Sequence, residues 1–414
     1  MTALPRRVLV VGLARSGQAA ALALARRDVE VVGADRSDEP DTERIAEAGV
    51  DVRLAGEDES LLDGIELVVK SPGVPGESPL VAAARRHGVP VWSELELGYR
   101  LLADNPVLAV TGTNGKTTTS ELLGVMLDAP VAGNVGRALC DVDGEVDPGR
   151  WIVCEVSSFQ LEDIVEFRPR IAVLLNLEPD HLDRHSSFEA YRDAKLRVFE
   201  NQTGQDTAVL PRGFGEIPGQ AERSEFDGSD PLPAEPRIPG AHNRENAAAA
   251  TAAARAAGID DEAISAALQT FPGVEHRLEL VGEANGVRWV NDSKATNTAA
   301  ARRALAAYEA PLYVILGGRG KGESYSELAL ELKKRAKRVY VIGEAANDIG
   351  IALELAGVDH QRVGDLESAV AAAARAAQPG DVVLLAPACT SYDQFRDFEE
   401  RGEAFKRLVA NITG

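Results

Sequence analysis

The segment VLAVTGTNGKTTTS, residues 107–120, leads an apolar run of strand length into a glycine loop with a Lys-Thr pair and then into a helical stretch. That combination builds a phosphate cradle. Gly112 and Gly115 let main-chain N–H groups approach phosphate oxygens, Lys116 offers a point charge to the terminal phosphates, and the Thr117 hydroxyl suits Mg²⁺. The helix, expected to begin near Thr118, adds its dipole. Standard Walker spacing would place a first glycine at Val110, so the loop is shorter than usual. The competing reading is a plain strand-to-helix turn with an incidental lysine. Glu155, in WIVCEVSSFQLE, ends another strand at the edge where open α/β sheets bind ligands. A carboxylate there would complement Thr117 around a hard octahedral cation, although a solvated strand-end glutamate fits the same residue. NLEPDHLDRH brings Asp180, His181, Asp183 and His185 to that edge, and Lys195 follows in EAYRDAKLRVFE. Taken alone, His181 reads as a structural or solvated histidine and Lys195 as a surface helix residue.

These residues need strands to hold them, and strand-length apolar runs alternate with helical patterns almost throughout, the signal of βαβ units and mainly parallel sheets. An α/β fold of three domains follows. The first block, 1–93, holds VLVVGLA, VEVVGAD and LVVKSPG with helices near 18–27 and 80–87, and reads as Rossmann-like. The second, 94–274, opens on VLAVTG and includes an Ala-rich helix after Asn243, giving a P-loop-ATPase-like domain with a mainly parallel sheet. The third, 275–414, repeats the alternation with VRWVNDS, LYVILGG, RVYVIG and VVLLAPA and is again Rossmann-like. The stretch from Gly213 to Gly240, rich in Pro, Gly and charge, reads as surface loops or an irregular insertion.

Composition narrows the function. With 414 residues and a net charge of −21, the chain repels polyphosphate backbones, and no basic stripe overcomes that field, so no nucleic-acid partner is expected. The densest basic run, Lys333 to Arg338, reads as a solvated helix face. Three scattered cysteines, Cys140, Cys154 and Cys389, provide neither a disulfide framework nor zinc-ligand spacing. No apolar run approaches the roughly 20 residues of a membrane-spanning helix. A cytoplasmic monomer away from membranes is expected.

GTNGKTTT, EVSSFQLE, NLEPDHLDRH with AKLRVF, GAHNRENAAAA, EHRLE, NDSKATN, LGGRGKG and SYDQFRDFEERG stand in the order seen in the Mur ligase family. The chain resembles that family over essentially its whole length. The DNPR string of the relatives that add diaminopimelate or lysine is absent, so the resemblance is to the D-glutamate-adding member. It implies an ATP-dependent ligase of peptidoglycan synthesis that joins D-glutamate to UDP-N-acetylmuramoyl-L-alanine through an acyl phosphate.

The resemblance also implies roles. Gly112, Thr113, Asn114, Gly115, Lys116, Thr117 and Thr118 would wrap the ATP phosphates. Thr117 and Glu155 would share one Mg²⁺, and His181 and a carbamoylated Lys195 a second. Asn243 and Asn246 match adenine-side positions, with Asn243 also a candidate helix N-cap, and Arg277 and Asp292 match nucleotide contacts of the last domain. Lys294, Thr296, Lys321, Ser391 and Phe398 match D-glutamate-recognising positions, while Asn134 and Gln160 match positions near the muramoyl-alanine arm. In the first domain Ser16, Asp35, Arg36 and Ser71 would line the uridine-diphosphate pocket. VLVVGLARSG with Asp35 is also like a dinucleotide fingerprint, which keeps an NAD-dependent oxidoreductase as an alternative, but Ala14 replaces its middle glycine. A non-catalytic nucleotide-binding module and another ligase of the superfamily, such as a folylpolyglutamate synthetase, are the remaining alternatives.

Overall fold

The computed structural model describes residues 4–38, 40–180 and 184–413. Three sheets form from the three blocks. The first contains β1 (Arg7–Val11), β2 (Glu30–Ala34), β3 (Asp51–Arg53), β4 (Leu67–Lys70) and β5 (Val91–Ser93), all parallel, in the order β3-β2-β1-β4-β5. The second contains β6 (Val107–Thr111), β7 (Val131–Gly133), β8 (Ile152–Glu155), β9 (Ile171–Leu174), β10 (Thr207–Pro211) and β11 (Glu222–Phe226). Its order is β11-β10-β9-β6-β8-β7, again parallel throughout. Every residue of β6, β8 and β9 is buried, as strands covered by helices on both faces require.

The third sheet contains β12 (Glu279–Ala284), β13 (Val287–Asn291), β14 (Leu312–Gly317), β15 (Ala336–Ile342), β16 (His360–Gly364) and β17 (Val382–Leu385). Its order is β12-β13-β17-β14-β15-β16, and only the edge pair β12/β13 is antiparallel. The α/β class and the three-domain architecture are as expected.

By packing, the chain divides into two compact units, one of the chain up to Pro236 with His242–Phe271, the other of Arg237–Ala241 with the chain from Pro272. The first two sheets share a unit because buried charge crosses between them. Lys70, at the end of β4 and fully buried, pairs with Asp163 at 2.9 Å, and Asp163 also takes Arg85 at 2.6 Å. Glu96, buried on the helix Glu94–Leu101, accepts from the main-chain N–H groups of Val165, Glu166 and Phe167 and from Arg100.

Four local expectations are corrected. The phosphate-loop helix begins at Lys116, two residues early, because Gly115 at φ +87° completes the turn by itself. Within 213–240 the chain forms β11, a parallel edge strand that ends in the buried Phe226. The basic run straddles two elements: the helix ends at Arg335, and Lys337 and Arg338 lie in β15, paired with Asp381 and Asp359. Asn243 is no N-cap, since the helix Ala241–Ala256 already starts two residues before it.

Candidate active site

β6 lies between β9 and β8, so the loops that follow these three strands converge on one sheet edge. Gly112 (φ +149°) and Gly115 (φ +87°) turn the first loop, and a Cβ on Gly115 would stand 2.2 Å from Oδ1 of Asn246. Asn246 therefore packs against the phosphate loop, with Asn243 beside it on the same helix at 3.5 Å. Thr113 and Asn114 are committed to the segment after β9. Thr113 Oγ1 lies 3.0 Å from the Tyr191 hydroxyl and accepts from Glu178 N, while Asn114 N donates to Asn176 Oδ1 at 2.9 Å. Thr117 and Thr118 are buried on the first helical turn.

Two lysines meet at one oxygen. Lys116 Nζ donates to Gly112 O at 2.8 Å and to Thr113 O at 2.9 Å, and Lys195 Nζ donates to the same Gly112 O at 2.9 Å. Lys195 is 2% exposed, contrary to a surface helix residue, and sits 4.7 Å from the centre of the Tyr191 ring. Burial, and then the charge of Lys116, pull its ammonium down to about 6. Opposite, Glu155 accepts from Asn134 Nδ2 through Oε1 at 2.9 Å, and its buried Oε2 finds no hydrogen-bond partner among the described residues.

These groups fit the implied ions in part. A buried carboxylate oxygen without a partner suits a hard cation, and a neutral amine is the form that takes up CO₂ to become an oxygen ligand. Among the described residues, no three His, Cys, Asp or Glu side chains could hold a metal by themselves. His181 and Asp183 lie outside the described residues. His185 is turned into the protein, 3.0 Å from Ser158 Oγ and stacked on Phe159.

A cavity of about 560 Å³ opens at the β1/β4 switch point, where doubly wound sheets take ligands. The predicted Ser16, Asp35, Arg36, Ser71 and Asn134 line it. Asp35 accepts from Leu13 N at 2.6 Å and Ser37 N at 2.9 Å, and Ser71 Oγ donates to Gly12 O at 2.7 Å, so both also shape the turn. Gln160 is not in the lining. It is fully buried and its Oε1 accepts from Ser157 N and Oγ, which sets the loop after Glu155. Arg15, given no role from the sequence, also lines the cavity and donates to Gly136 O at 2.6 Å. Its place at the first turn of a helix after a glycine loop was the available signal.

In the second unit the loops after β13, β14 and β17 carry the remaining candidates. Asp292 is buried and accepts from Leu278 N at 3.3 Å; burial pushes it up to about 6, against the opposing pull of Arg277. Lys294 Nζ stands 5.7 Å from the Phe398 ring centre, Thr296 N donates to Lys294 O at 2.8 Å, and Ser391 is buried at the end of the third loop. Lys321 is exposed in the glycine turn after β14.

Three family models match the chain: a Mur ligase MurD-like N-terminal domain over 6–93, a Mur ligase middle domain over 110–221, and a Mur ligase glutamate ligase domain over 276–389. A UDP-N-acetylmuramoylalanine–D-glutamate ligase of Anaeromyxobacter dehalogenans is 44% identical across 97% of both chains. One of the same name from Pelotomaculum thermopropionicum is 41% identical across 98% of both. Among solved structures, the UDP-N-acetylmuramate-alanine ligase of Thermotoga maritima shares the fold with a TM-score of 0.60 at 21% identity, covering 98% of this chain and 99% of that one. A bifunctional folylpolyglutamate synthase/dihydrofolate synthase of Yersinia pestis, solved with AMPPNP and a Mn ion, gives 0.53 at 18% identity, covering 76% of this chain and 92% of its own.

Proposed function

We infer the activity from a premise the matches establish, that this chain belongs to the Mur ligase family: it is an ATP-dependent ligase that adds D-glutamate to UDP-N-acetylmuramoyl-L-alanine in peptidoglycan synthesis. The observation that carries the reading is the pair of lysines on Gly112 O, facing a phosphate loop whose neighbouring strand ends in a half-satisfied carboxylate. Residues 1–93 hold the uridine diphosphate, 94–274 the triphosphate and 275–414 the amino acid.

Lys116 leaves its two carbonyl partners for the β- and γ-phosphates, and main-chain N–H groups of the loop and first helical turn bind the same oxygens. Thr117 and Glu155 would hold one Mg²⁺ and a carbamoylated Lys195 with His181 a second, and the ions would supply the positive charge that lets one anion attack another. A carboxylate oxygen of the muramoyl-alanine bonds to the γ-phosphorus as the bond to ADP breaks. The amine of D-glutamate then attacks the acyl carbon, loses a proton and expels phosphate. Asn134 orients Glu155 during both steps. Arg277 and Asp292 serve the nucleotide, and Lys294, Thr296, Lys321, Ser391 and Phe398 the two carboxylates and stem of D-glutamate. UDP-sugars and ATP are cytoplasmic compounds, so the reading puts the chain in the cytoplasm, and it gives no role to a second copy, which makes a monomer the proposed working form. Among the described residues no helix is long and apolar enough to cross a membrane.

The test is phosphate release from ATP and UDP-N-acetylmuramoyl-L-alanine with D-glutamate, L-glutamate, L-lysine or diaminopimelate. Release is expected with D-glutamate alone. Preference for another amino acid, or release that ignores the amino acid, would overturn the assignment.

A further inference from the structure

One side chain reaches all three loops that carry the amino-acid candidates. Arg401, on the helix Phe398–Thr413, is 1% exposed. Its Nε donates to Ser293 Oγ at 2.9 Å, Nη2 to Ser293 O at 2.9 Å and Cys389 O at 3.2 Å, and Nη1 to Thr390 O at 3.2 Å. Ser293 precedes Lys294, and Thr390 precedes Ser391. The third loop is reached by close approach: a Cβ on Gly318 would stand 3.2 Å from Nη1 of Arg401. The Ser293 hydroxyl passes the contact on by donating to Phe398 O at 2.8 Å.

All these acceptors are neutral. Among the described residues Arg401 forms no ion pair, and Asp393 acts on it only from beyond contact. Burial lowers its guanidinium to about 10, which leaves it a cation at neutral pH. A buried cation satisfied only by carbonyls and a hydroxyl is costly, and buried charges are ordinarily paired. Lys294 adds a second positive group on the loop that Arg401 holds. The buried Asp292 lies on that same loop, so its charges are mixed.

We propose that Arg401 is the positioning residue of the amino-acid site, fixing the loops of Lys294, Lys321 and Ser391 with its fork. The inference rests on the proposed function and adds a residue that acts through others, without touching the substrate. Truncating a buried charge-assisted contact is expensive, so the effect should be large and confined to one substrate.

Steady-state kinetics with all three substrates test it in Arg401→Met and Arg401→Lys. In Arg401→Met the KM for D-glutamate should rise at least about tenfold, with the KM values for ATP and the nucleotide-sugar within about twofold of wild type. Arg401→Lys, which keeps the charge and loses the fork, should recover part of the loss. Parallel changes in all three KM values would assign Arg401 to general stability and overturn the proposal, as would an unchanged D-glutamate KM. If Arg401→Met does not fold, Arg401→Lys decides alone by the same comparison. Wild-type enzyme without D-glutamate-dependent phosphate release would instead overturn the proposed function.

Discussion

The side-chain amide of Asn134 donates to Oε1 of Glu155 at 2.9 Å, and Asn134 N donates to Glu155 O at 2.8 Å, so a residue lining the cavity at the β1/β4 switch point holds both the main chain and the proposed metal carboxylate of Glu155. The main-chain bond survives substitution and the side-chain bond does not. Asn134→Ala should therefore leave the fold intact and free Glu155 to rotate. Loss of such an outer partner typically costs about 10- to 100-fold in metal affinity or activity. Magnesium titrations of initial rate should show the half-saturating concentration shifted upward by about that factor, and an unshifted curve would remove the positioning role.

Lys195 gives a prediction in which activity and stability move in opposite directions. Its folded ammonium is pulled down to about 6, while the unfolded side chain keeps its proton up to the ordinary 10.5. Between those values the unfolded state binds more protons, so this group's contribution to stability rises with pH across the window. In CO₂-free buffer, Lys195→Met should melt at least about 2 °C above wild type at pH 7, the size of about 1 kcal/mol, with no advantage left near pH 10.5. The same variant should lose ligase activity. Calorimetry of both proteins from pH 6 to 10 checks the sign, and a wild type more stable than the variant at pH 7 would contradict it.

Gly115 and Asn246 allow the phosphate loop itself to be tested. Alanine at 115 would face both a φ of +87° and Asn246 Oδ1 at 2.2 Å. Backbone strain of this kind costs about 1–3 kcal/mol, and a contact that close forces a shift on top of it. Gly115→Ala should weaken ATP binding at least about tenfold. Adding Asn246→Ala removes the clash and leaves the dihedral, and because Asn246 also matches an adenine-side position, the double variant should lose less than the sum of the two single losses. Nucleotide affinities of the four proteins form a cycle, and strict additivity would mean that the two residues do not act on each other.

What the sequence revealed, and what it hid, divides by the distance over which each signal acts. The phosphate loop was legible because strand, glycines, Lys116 and helix lie within 14 consecutive residues. The place of Glu155 at the end of β8 was legible for the same reason, closing an unbroken apolar run. Lys195 was not, because nothing in EAYRDAKLRVFE shows that Gly112, 83 positions earlier, closes over it. Local propensity alone favours Asn243 as a cap, whereas the helix starts before it. The edge strand Glu222–Phe226 was hidden by the Pro and Gly around it, which outweigh a single buried phenylalanine in any local reading. Arg401 looked like one more charge in FEERG, and its partners at Ser293 lie 108 residues away.

Glu94 and Glu96 lie on the same helix, both fully buried, yet their surroundings differ. Glu96 is held by three main-chain N–H groups and Arg100, whereas Glu94 takes Cys140 N through Oε1 at 2.7 Å and its buried Oε2 finds no hydrogen-bond partner among the described residues. Burial raises Glu94 to about 7, aided by the charge of Asp141 and opposed by the bond from Cys140. A carboxyl whose folded value lies above its unfolded value contributes fully below about 4.5, and that contribution is lost as pH rises through about 7. The loss amounts to about 3 kcal/mol at most. Glu94→Gln keeps the acceptor for Cys140 and cannot ionise. Its stability relative to wild type should climb between pH 4.5 and 7 and level off above, whatever constant offset the buried amide adds. Urea midpoints for both proteins from pH 4 to 8 measure the slope directly, and parallel profiles would place the titrating group elsewhere.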